Sequence, residues 1–179
     1  LAKVIVALIL VGIGVFNQLS SKDRPSLDTA QVGYYDVLSI ADGDTITVDM
    51  EGKKEKIRFI GVDTPEVAHN SGEVSQCYGD KAKAFMEASI DGKRVKLVAD
   101  DKGSNRDKYG RLLRYVYNYQ NLSLDETLVS EGYGFAVDGF NYSKKESYLG
   151  LMAQAEQNRK GLWAVCEIDR SKGYPEVKS

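Results

Sequence analysis

The chain has 179 residues, room for one domain of ordinary size with short extensions. Its 42% hydrophobic and 28% charged residues are those of a globular domain. A formal net charge of −2 argues against a protein that grips nucleic acid through a global positive field, so any polyanion must be met by a local basic patch.

Lys3 precedes thirteen uncharged, mostly aliphatic residues, 4–16. That is the length of a secretory apolar core and short of the ~20 residues a membrane span needs. The run lacks the polar face of a packed surface helix. Residues 1–19 are therefore expected to be a signal peptide or a signal-anchor, with export to an extracytoplasmic compartment, secreted or held at the membrane by this segment alone. Residues 20–32 are polar, carry Pro25, and read as a linker to a domain over 33–168, followed by a tail over 169–179.

Three strand-like runs open the domain: residues 34–40, 45–50 and 55–62. The joints Asp42-Gly43-Asp44 and 51–54 each hold the glycine of a tight turn, which makes a β-meander. Ala82, Phe85, Met86 and Ile90 then form one apolar stripe, predicting a helix over 79–90 stopped by Asp91-Gly92. Residues 93–99 and 111–119 read as the fourth and fifth strands. Ser123 with Glu126, and Ser143 with Glu146, are capping-box pairs that start two further helices, ended by Gly132 and Gly161. Five short strands with a helix after the third is the pattern of an OB-type barrel, an α+β fold; a split α+β sandwich is the alternative.

Polar clusters stand at three strand ends. Asp44 exceeds what a turn at 42–44 requires. Pro65 holds Thr64 extended and leaves its carbonyl without a helical partner. Residues 107–111 deliver Arg111 to a strand. Asp44, Asp63 and the Thr64 carbonyl are hard oxygen donors suited to calcium, which accepts about six to eight oxygens; no soft-ligand set accompanies them. Arg58 on a strand otherwise aliphatic, with Arg111, would clamp a phosphate, and Glu66 could take a proton from an attacking water. The bland reading of each cluster alone is a turn or a solvated loop. His69 reads as a surface-loop residue or a substrate contact. Cys77 and Cys166 are too few for a zinc site; a disulfide is preferred over two buried thiols because export implies oxidising surroundings.

The segments "IADGDTITV", "RFIGVDTPE", "CYGDKAKAF", "DKGSNRDKYGRLLRYVY", "LVSEGYGFA" and "RKGLW" resemble, in order, those of the staphylococcal nuclease family. The resemblance implies an OB-fold barrel with about three helices. It implies Ca2+ held by Asp44, Asp63 and Thr64, catalysis by Arg58, Glu66 and Arg111, and a neighbouring phosphate on Lys108 and Tyr109. Tyr142 is the ring assigned to a base, packing being the default for each aromatic in its loop. The expected activity is that of a monomeric nuclease hydrolysing DNA and RNA by water attack, leaving 3′-phosphate ends. The competing reading is a catalytically weak binding module for nucleic acid or protein. Cys77 and Cys166 depart from the founding member and resemble a pair in exported bacterial relatives.

Overall fold

The fold is seen in a computed structural model, which describes residues 32–90 and 94–178. The apolar run at 4–16, the linker as far as residue 31 and the Asp91-Gly92 stop lie outside the described residues, and Val32, expected in the linker, opens the first strand. Five strands close a barrel: β1 (Val32–Asp42), β2 (Thr45–Met50), β3 (Lys53–Phe59), β5 (Arg94–Val98) and β6 (Leu112–Tyr117). The order is β1-β2-β3-β6-β5, with β5 returning to β1. Neighbours are antiparallel except β3 and β6, which run parallel and pair Arg58 with Leu113. This is the OB-type barrel expected from the strand pattern.

Alternation fills the interior. Ile46, Val48, Met50, Ile57, Phe59, Val95, Leu97, Leu112 and Val116 are buried, in register with the pleat. Helix α1 (Gly79–Ser89) sets Ala82, Met86 and the following Ile90 inward, as its stripe requires. Helix α2 (Leu124–Ser130) starts at Ser123, whose hydroxyl accepts the Glu126 N–H. The second half of that capping box is diverted, because Glu126 pairs with Lys144.

The third run does not continue to Val62 as one strand. β3 ends at Phe59, and the chain turns at Gly61, which sits at φ 75°, where an added Cβ would strike the Tyr142 ring. Val62–Asp63 then forms a separate short strand, β4, paired with β7 (Phe135–Ala136) outside the barrel. Arg58 therefore does not share a pleat face with Val62; instead its guanidinium donates to the Val62 carbonyl across the turn.

Helix α3 (Lys145–Gln157) starts later than Ser143 predicts, from Lys144, with no side-chain cap. Asp100 takes the serine: the Ser143 N–H and hydroxyl donate to its two oxygens at 2.6 and 2.8 Å. The helix also ends before Gly161, which instead precedes the one-turn helix α4 (Leu162–Val165). The expected tail is folded. β8 (Ile168–Asp169) and β9 (Glu176–Val177) make a hairpin, and Val177 is buried with Phe135, Ala155, Leu162 and Trp163. Cys77 and Cys166 form a disulfide. Among the described residues, no helix is long and apolar enough to cross a membrane.

Candidate active site

The β1–β2 turn and the β4 exit meet at one end of the barrel. Asp44 lies in the turn with 4% exposure, its Oδ2 accepting the Thr64 N–H at 2.7 Å and its Oδ1 the Thr45 hydroxyl at 2.9 Å. A buried carboxylate thus fixes the start of the Thr64-Pro65-Glu66 segment from twenty residues away. Close packing makes this possible. A Cβ on Gly43 would come within 2.8 Å of the Thr64 and Ala82 side chains, and one on Gly79 within 2.5 Å of the Glu66 carbonyl. Gln76 holds Glu66 from both sides, accepting its N–H at 2.8 Å through the side chain and donating to its carbonyl at 2.9 Å through the backbone.

Arg58 stands between the acids. Its Nη2 is 3.1 Å from Asp44 and 2.5 Å from Asp63, and its Nη1 donates to the Phe59 and Val62 carbonyls. Both carboxylates therefore converge on one cationic point. Arg111 leaves the Asp107 turn one residue before β6, with its Nε 2.6 Å from Asp107 and its guanidinium 5.5 Å from the Tyr109 ring. Because β6 runs parallel beside β3, Arg111 reaches the cleft that Arg58 and Asp63 line, a volume of about 760 Å³. Lys108 lines it too, its Nζ 5.0 Å from the exposed Tyr109 ring.

The acids outnumber the cation. Burial and the neighbouring Asp44 carboxylate push Asp42 up to about 7. Loss of hydration pushes Asp63 up, Arg58 pulls it down, and the Asp44 and Glu66 charges leave the balance upward. Such crowding is relieved by a dication. The donors brought together are carboxylate oxygens, a hard set that fits a divalent cation such as calcium and leaves room for substrate oxygens.

Two of these residues exceed the expectations from sequence. Asp42, which looked like half of a tight turn, is buried; its carboxylate, that of Glu66 and the imidazole of His69 each offer a donor within 4.8 Å of one another. His69 is thus a surface residue, as expected, but one beside the acids. Only the second aspartate of Asp-Gly-Asp hinted at this in the sequence. Tyr142 requires a correction. With 2% exposure, packed on Tyr148 and Phe140 and donating its hydroxyl to the Val137 carbonyl at 2.9 Å, it has no face left for a base. Phe140, 42% exposed, is the open ring of that loop.

Comparisons with known proteins identify the family. A sequence profile described as "Staphylococcal nuclease homologue" matches residues 56–165. The chain is 33% identical over 162 residues to a thermonuclease of Staphylococcus hyicus, covering 90% of this chain and 94% of that protein. It is 36% identical over 137 residues to endonuclease YncB of Bacillus subtilis, 74% of this chain and 63% of that protein. An uncharacterised protein of Methanocaldococcus jannaschii is 35% identical over 156 residues, 76% of this chain and 74% of its own length. With its profile match spanning more than half the chain and a relative aligned over nearly its whole length, this protein belongs to the staphylococcal nuclease homologue family.

Proposed function

We propose that the chain is a calcium-dependent nuclease hydrolysing phosphodiesters of DNA and RNA by attack of water, leaving 3′-phosphate ends. The observation that carries this reading is the convergence of Arg58, Asp63 and Arg111 on one cleft, with buried Asp44 3.1 Å from the Arg58 guanidinium, the four residues coming from three separate segments. Names of relatives, thermonuclease and endonuclease among them, support it. A bound calcium ion, held by Asp44, Asp63 and the Thr64 carbonyl, would supply positive charge to the phosphoryl oxygens. Arg58 and Arg111 bind and orient the phosphate and offset the charge that grows on it as water attacks. Glu66, its backbone held by Gln76, positions that water and takes its proton. Lys108 and Tyr109 receive an adjacent phosphate. Single strands suit the site, since no element among the described residues resembles a groove reader.

Weak calcium binding, on the order of 10⁻⁴–10⁻³ M, follows from so few protein ligands and suits an extracytoplasmic site. The apolar run at 4–16 and the Cys77–Cys166 disulfide support that compartment, whether through secretion or anchoring, and a monomer is the simplest working unit.

The test is cleavage of single-stranded DNA in calcium and then in EDTA, with end-group analysis of the products. We expect cleavage only with calcium, 3′-phosphate ends, and a loss of about 10²–10⁴ in kcat for Glu66→Gln at unchanged Tm. Binding without cleavage under both conditions would favour the non-catalytic module. Full turnover by Glu66→Gln would remove Glu66 from the chemistry.

A further inference from the structure

We propose that the C-terminal β8–β9 hairpin forms a wall of the nucleic-acid cleft and that Tyr174 is a stacking platform for one unpaired base; this rests on the nuclease reading above. The hairpin lies beyond the residues that match the family profile.

Tyr174 and Pro175 line the same cleft as Arg58, Asp63 and Arg111. Their position is built. Val177 packs beside Phe135, which pairs with Asp63 across β4 and β7, so the hairpin is anchored one strand away from the site. Arg170 ties the turn to Glu156 of α3 at 2.6 Å and lies 5.7 Å from the Trp163 ring. Cys166 secures the entry to β8. Pro175 disfavours the helical region for the residue before it, and Gly173, at φ 86°, makes the turn that delivers Tyr174.

The ring is not committed to packing. Tyr174 is 51% exposed and belongs to neither hydrophobic cluster of the described residues. Of the rings lining the cleft, Phe59, Phe135 and Tyr142 are buried; Phe140 and Tyr174 are open. Lys102 and Lys108 line the same space, and neither forms an ion pair among the described residues. Open aromatic faces beside lysines without an ion-pair partner fit a single strand, whose bases stack while its phosphates are neutralised.

The experiment uses the full chain and a phosphorothioate-linked single-stranded oligonucleotide, resistant to hydrolysis, carrying 2-aminopurine whose fluorescence is quenched on stacking. We expect Tyr174→Ala to weaken binding by about 5- to 100-fold and relieve part of the quenching, with Tm unchanged. Tyr174→Phe, which keeps the ring, should bind like the wild type. On cleavable DNA the alanine variant should raise KM and leave kcat unaltered. Wild-type affinity in Tyr174→Ala, or a loss in Tyr174→Phe equal to that in Tyr174→Ala, would overturn the assignment. A wild type that binds the strand but cleaves nothing would defeat the nuclease reading while leaving the Tyr174 comparison decisive. A wild type that does not bind would overturn both.

Discussion

Single side chains in this fold are placed by competition for polar partners, and Asp100 shows how one acid reorganises its surroundings. It accepts hydrogen bonds from the Tyr115 hydroxyl, the Ser143 N–H and hydroxyl, and the Lys102 N–H. Ser143 is thereby withdrawn from the capping role its spacing to Glu146 suggests, and α3 starts without it. Burial alone would raise the Asp100 carboxyl, but these donors, Tyr115 foremost, hold it down to about 2. An unfolded aspartate titrates near ~3.9. The carboxyl is therefore the stronger acid in the folded state, and the stabilisation is fully present above about pH 4 and disappears as pH falls toward 2. Urea unfolding of the wild type and Asp100→Asn across this range should show a stability gap that is widest above pH 4 and narrows toward pH 2. A gap constant over that interval would mean that Asp100 contributes through shape rather than charge.

The elements differ in how much of themselves the sequence discloses. β2, β3 and α1 were legible because their apolar positions repeat at the period of the structure, and Ser123 marks α2 because its hydroxyl bonds locally. Asp44, Asp63, Arg58 and Arg111 stood out because charge at strand ends is costly without a partner, and family resemblance supplied their roles. What stayed hidden depends on distant contacts: the two-residue strands β4 and β7, the parallel β3–β6 pairing, the burial of Asp42 and Tyr142, and the closing hairpin. The β4–β7 pair matters most to the site, because a glycine permits it. A Cβ at Gly134 would lie 2.8 Å from the Asp63 carbonyl and 3.0 Å from Thr64 Cγ2, so backbone bearing two proposed metal donors would have to move. Gly134→Ala should raise the calcium concentration for half-maximal cleavage several-fold and cost ~1–3 kcal/mol of stability as an overpacked site. Gly150→Ala, on α3 where an added Cβ meets nothing within 4 Å, is the control: it should leave the calcium dependence unchanged and raise stability by ~0.5–1 kcal/mol, because alanine favours the helix. Calcium dependence identical in Gly134→Ala and wild type would show that the loop tolerates the crowding.

Across the whole molecule, the proposed catalytic end of the barrel is tied to the C-terminal hairpin by one covalent bond. Cys77 follows Gln76, the residue that brackets Glu66, and Cys166 precedes the hairpin that carries Tyr174 to the cleft. The bridge spans a separation of 89 residues, for which the loss of unfolded-chain entropy gives ~4–5 kcal/mol at most. The ion pairs that also hold the hairpin, Arg170–Glu156, Lys172–Glu176 and Lys178–Glu167, are exposed and worth little each. Val177 remains the hairpin's principal buried anchor once the bridge is gone. Replacing both cysteines by alanine should lower Tm by on the order of 10 °C. Because the bond joins the Glu66 loop to the Tyr174 wall, the same variant at a temperature where it is folded should show both a lower kcat and a higher KM. A reductant should reproduce these changes in the wild type and leave the double alanine variant unaffected. Retention of wild-type Tm by the double variant would mean that noncovalent packing alone closes the molecule, and the coupling between its two ends would have to be sought in Val177 and Phe135 instead.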